Sequence, residues 1–103
     1  MAAAYLRGKG FRILERNFRC RLGEIDIIAR QGDCLVFVEV RTRSSARCGL
    51  AQESITARKV SRLRRLAQVY LAQRSFGRLN VRFDVVAVNC AGKPRITHIE
   101  NAF

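Results

Sequence analysis

The chain has 103 residues, room for one domain and one core, and 49% of them are hydrophobic, which argues against a disordered chain. Twenty Lys+Arg face eight Asp+Glu, a formal net charge of +12. Such an excess repels itself in a compact chain and is balanced by a polyanion, so nucleic acid is the expected partner. No apolar run is long enough to cross a membrane and no charged-then-apolar signal segment opens the chain, so a cytoplasmic protein without membrane contact is expected.

The first ten residues, MAAAYLRGKG, read as the last turns of a helix ended by Gly8 and Gly10. Phe11 to Phe18 reads as extended chain entering a sheet. Glu24 to Arg30 is rich in β-branched residues, and Leu35 to Thr42 is a second strong strand. The two join through Gly32-Asp33, the signature of a hairpin with a tight two-residue turn. Residues 43 to 53 are polar with a glycine at 49, hence a loop. From Ser54 to Gln73, Val60, Leu63, Leu66, Ala67, Tyr70 and Leu71 recur at steps of three and four, which predicts an amphipathic helix. Ser75 to Asn80 is a turn, Val81 to Asn89 a strand that becomes wholly apolar, residues 91 to 94 a turn, and Arg95 to Ile99 a last strand. The order α-β-β-β-α-β-β predicts one α/β domain over residues 1–103, with a central mixed sheet flanked by helices.

The turn sets the register. With Gly32 and Asp33 as the loop, Gln31 faces Cys34, so Asp26 falls opposite Glu39 and Glu24 opposite Arg41, all four on one face by the period of two. Like charges opposed in a sheet are destabilising. Two such carboxylates share a proton, pair with cations, or bind a divalent ion through oxygen. Spacing alone leaves open a Mg²⁺ or Mn²⁺ site and a solvated pair neutralised by nearby basic groups.

Four ordered motifs narrow this: Gly23-Glu-Ile-Asp26, Val38-Glu-Val-Arg-Thr-Arg43, Arg82-Phe-Asp-Val-Val86 and His98-Ile-Glu-Asn-Ala-Phe103. Together the chain closely resembles the YraN-type family of bacterial proteins along essentially its whole length. The resemblance implies a restriction-endonuclease-like fold related to archaeal Holliday-junction resolvases. Their signature is an acidic residue on the first helix, an Asp on the second strand and Glu-x-Lys on the third. By that resemblance Asp26 and Glu39 are metal ligands, and Asp26, Glu39 and Arg41 form the catalytic set, with Arg41 in the lysine position. Arginine stays charged and cannot accept a proton, so it would stabilise phosphate charge. The resemblance also places a Glu several residues ahead of Tyr5-Leu6, before residue 1. The expectation is a first helix truncated at its N-terminus, or a site one carboxylate short.

The long helix carries Arg58, Arg62 and Arg65 as a stripe, with Lys59 and Arg64 beside it and no acidic residue from Ile55 to Gln73. A helix face exposed only to water normally mixes both signs, so this one reads as a phosphate-tracking surface, extended near the carboxylates by Arg41, Arg43 and Arg47. Most of the basic residues are Arg, whose fork grips phosphate with two hydrogen bonds. Coding bias explains the Arg/Lys ratio but not the net charge. Asp84 is read as capping or pairing with an Arg in preference to serving as a third metal ligand, and His98 as structural. Cys20, Cys34, Cys48 and Cys90 lack the close pairing of a zinc site and read as free thiols or small hydrophobes. The resulting expectation is a divalent-metal-dependent nuclease hydrolysing phosphodiesters in structured or branched DNA, with Mg²⁺ or Mn²⁺ as cofactor. The alternative is a non-catalytic nucleic-acid-binding protein with a degenerate nuclease site, and a weaker third is a scaffold role on a repair or ribosomal assembly. A homodimer is expected only by analogy with resolvases.

Overall fold

A computed structural model describes residues 1–43, 56–74, 77, 79–90 and 95–103, with Arg43 described by its backbone alone. The elements are α1 (Ala2–Gly8), β1 (Arg12–Cys20), β2 (Gly23–Gln31), β3 (Cys34–Arg43), α2 (Ala57–Ala72), β4 (Asn80–Asn89) and β5 (Arg95–Ile99). The predicted order holds. The five strands form one sheet in chain order, antiparallel throughout except for the parallel pair β3–β4. A parallel pair needs a long crossover, and α2 lies within it.

The central strand is β3 because its run Leu35-Val36-Phe37-Val38 has apolar side chains for both sheet faces. Val36 and Val38 pack with Ala2, Ala3 and Leu6 of α1. Leu35 and Phe37 pack with Leu63, Leu66, Ala67 and Tyr70 of α2. Those four residues are the stripe that periodicity assigns to the helix interior. Thr56 caps α2, its hydroxyl accepting a hydrogen bond from Lys59 N at 3.2 Å. Sequence reading starts this helix at Ser54, which lies outside the described residues, and passes over the cap.

The C-terminal segment is bound back onto the sheet. Ala102 N donates to Phe83 O at 2.7 Å. Phe103 stacks on Phe83 and Phe83 on Phe37, with ring centroids 5.4 and 5.5 Å apart. No helix among the described residues is long and apolar enough to cross a membrane.

Candidate metal and nucleic-acid site

The hairpin closes as its turn requires. Gln31 pairs with Cys34, and Gly32 takes φ +59° as the first of two loop residues, the type II′ position that suits glycine. The ladder then runs from Gln31–Cys34 to Ile27–Val38 and stops. Beyond that point β2 stays paired with β1 as far as Gly23–Cys20, while β3 stays paired with β4 as far as Arg43–Asn89. The sheet forks, and Asp26 and Glu39 stand at the fork instead of forming the next ladder pair.

The fork has a local cause. Ile27 packs on the α1 side and Ile25 on the α2 side, although residues two apart in a regular strand share a face. The neighbouring strand breaks at the same level. Arg16 pairs with Ile27 and Phe18 with Ile25, and Asn17 between them has φ +55°. A further register shift lies between Ile13 and Glu15. Asp26 sits in this irregularity, and its Oδ2 accepts a hydrogen bond from Val40 N at 2.8 Å, replacing the lost ladder partner. The expectation that four side chains share one face is therefore corrected. Asp26 lines an open cavity of about 490 Å³ on the α1 side with Arg16, Asn17 and Thr42. Glu39 faces Lys59 of α2. Glu24 pairs with Arg19 across β1–β2, not with Arg41.

Asp26 and Glu39 nevertheless interact. Burial pushes the Asp26 carboxyl above its ordinary range, and the charges of Glu39 and Glu24 push it further; the Val40 N–H and the Lys59 ammonium pull the other way without cancelling the rise. Glu39 is nearly buried, with Lys59 Nζ 2.7 Å from its Oε1 and Arg41 Nε at 3.7 Å. The sequence marks Lys59 as a phosphate contact beside the arginine stripe, but the structure turns it inward to the carboxylate. The signal was available: Lys59 stands one helical turn before Leu63, on the buried stripe.

Arg58, Arg62 and Arg65 are exposed along α2. The Arg62 stem runs over Gly23, whose φ of +138° favours glycine; a Cβ there would sit 3.5 Å from Arg62 Cδ. This brings the Gly-Glu-Ile-Asp segment and the arginine stripe to the same end of the sheet as Glu39. The Arg43 side chain and Arg47 lie outside the described residues.

Asp84 and His98 belong elsewhere. Asp84 is fully buried and receives Arg82 Nε at 2.8 Å, Arg82 Nη2 at 2.9 Å and Asn101 N at 3.0 Å, with His98 Nε2 at 2.7 Å. Its pairing with an arginine is as expected. The histidine adds ring contacts to Tyr5 and Phe11, each 5.6 Å between centroids. The Arg-Phe-Asp and His-Ile-Glu-Asn-Ala-Phe motifs are thus two halves of one clasp between β4 and the C-terminal segment.

The carboxylate pair suits a hard divalent ion. It offers carboxylate oxygens, and Mg²⁺ is commonly held by one or two carboxylates, with water and substrate phosphate completing the shell. No cluster of three or more His, Cys, Asp or Glu is present among the described residues.

Residues 1–88, which include both carboxylates, match the model of the uncharacterised protein family UPF0102. The chain belongs to this family. A UPF0102 protein of Moorella thermoacetica is 56% identical over 99 residues, covering 96% of this chain and 82% of the relative. One of Pelotomaculum thermopropionicum is 55% identical over 105 residues, covering 99% and 88%. One of Geobacter sulfurreducens is 47% identical over 105 residues, covering 100% and 82%. The family match agrees with the motif resemblance found in the sequence.

Proposed function

We propose that this chain is a divalent-metal-dependent nuclease that hydrolyses phosphodiester bonds in structured or branched DNA. The observation that supports the reading is that Asp26 and Glu39 flank the point where β2 and β3 part, Asp26 bonded to the N–H of Val40 and within the electrostatic influence of Glu39, which Arg41 and Lys59 approach. Asp26 and Glu39 would hold Mg²⁺ or Mn²⁺. When bound, such an ion polarises the phosphodiester and lowers the pKa of an attacking water. The Val40 N–H fixes the Asp26 carboxylate. Arg41 stabilises charge on the scissile phosphate, and the exposed Arg58, Arg62 and Arg65 hold the backbone without reading sequence. The same reading puts the protein in the cytoplasm with its substrate, and a homodimer is a further proposal for light scattering to decide.

The test is cleavage of branched, nicked and single-stranded DNA with Mg²⁺ or Mn²⁺ by the wild type and by Glu39→Gln. Metal-dependent cleavage lost in the variant supports the nuclease, whereas equal cleavage by both exposes a contaminant. A second reading, a non-catalytic nucleic-acid-binding module, is favoured by arginine at position 41, which cannot accept a proton. Tight, steeply salt-dependent binding without cleavage would select it.

A further inference from the structure

Lys59 occupies an unusual place for a cation. It lies in the first turn of α2, where no acidic residue offsets the positive end of the helix dipole, and Arg58 beside it adds to the charge. Its aliphatic stem follows the buried stripe of the helix, so that only 20% of the side chain is exposed, and Nζ ends 2.7 Å from a Glu39 carboxylate that is itself 10% exposed. Asp26 lies within electrostatic reach of the same ammonium. The ammonium thus neutralises Glu39 directly and acts on Asp26 only at a distance, in the region where the proposed divalent ion would act. Arg41, at 3.7 Å from the same oxygen, makes the looser contact.

We propose that Lys59 is a placeholder cation: it neutralises Glu39 in the metal-free protein and, when a divalent ion takes Glu39, moves out to a phosphate of bound nucleic acid. This rests on the metal-binding reading above. The chemistry suits lysine, a compact charge on a flexible four-carbon stem that can re-aim its three donors. Exposed Arg58 and Arg62 already make the adjacent surface attractive to phosphate. Without nucleic acid, the metal must break the Glu39–Lys59 pair with no new partner for the ammonium, so it binds weakly. A phosphate supplies that partner, so metal and nucleic acid strengthen each other's binding, and by linkage they do so reciprocally. The site then loads its metal chiefly when substrate is present.

The test uses the folded full chain and two variants, Lys59→Met and Lys59→Gln, with circular dichroism confirming the fold. Titrated calorimetrically with Mn²⁺ and no DNA, the variants should bind about three- to tenfold more tightly than the wild type, the worth of one partly buried ion pair. Titrated with a labelled DNA duplex, the wild type should gain more affinity from added Ca²⁺, another oxygen-seeking ion, than either variant gains. Variants that bind Mn²⁺ no more tightly than the wild type overturn the proposal, as does an equal Ca²⁺ effect on all three. If none of the proteins binds Mn²⁺, the metal reading itself fails. Equal binding by all three leaves that reading standing and removes only the placeholder.

Discussion

Asp84 and Asp26 are aspartates of the same sheet, treated in opposite ways. Asp84 is sealed in the interior with two arginine nitrogens, a histidine nitrogen and a backbone N–H around it. Asp26 is half-buried, holds one backbone N–H, and faces the charges of two glutamates that help raise its pKa. A carboxylate ringed by donors contributes to the fold. One buried with a single hydrogen-bond donor burdens the fold when ionised, and such strain is characteristic of sites that bind something. The contrast also sorts the family motifs: those around Asp84 close the C-terminal clasp, and those around Asp26 and Glu39 gather at the fork of β2 and β3.

The comparison breaks most readily at Asp84. Asp84→Ala leaves Arg82 and His98 without their shared partner and should cost about 3 kcal/mol or more in urea denaturation, within the range for removing one member of a buried pair. A smaller loss, about 1–2 kcal/mol, is expected for Phe103→Ala, which removes the half-buried ring stacked on Phe83. At the other pole, Asp26→Asn should melt at or above the wild-type temperature at pH 7. The sign follows from the raised pKa. Ionised Asp26 is penalised in the fold, so its contribution is most favourable when protonated and is lost as pH rises through the folded-state pKa. The advantage of Asn should therefore close as pH falls to the ordinary carboxylate value of 3.8 and below, in melting curves taken across that range. The smallest effect belongs to the arginine stripe. Arg62→Ala should reduce the salt slope of DNA binding by about one unit, with little change in stability.

Much of the fold was legible because its rules are local. The Gly32-Asp33 turn sets the register of β2 and β3, and the spacing of Leu63, Leu66, Ala67 and Tyr70 sets the buried face of α2. Asp26 and Glu39 could be paired from that register. Their geometry could not, because extrapolating the ladder assumes that regular alternation continues. The face change at Ile25 and Ile27 depends on Asn17 in the adjacent strand and on β3 following β4 away from β2. Lys59 was misplaced for another reason: a lysine among arginines on a basic helix reads as surface until its position one turn before Leu63 is weighed. The Asp84 clasp joins residues fourteen apart, which only the β4–β5 register brings together.

The central claim is that Asp26 and Glu39 form a divalent-metal site, and calorimetric titration of the wild type and Asp26→Asn with Mn²⁺ tests it most directly. The wild type should bind one ion per chain, and Asp26→Asn should bind at least about tenfold more weakly while remaining as stable as the wild type. No Mn²⁺ binding by either the wild type or Lys59→Met, in which no ammonium competes for Glu39, or equal binding by the wild type and Asp26→Asn, would contradict it.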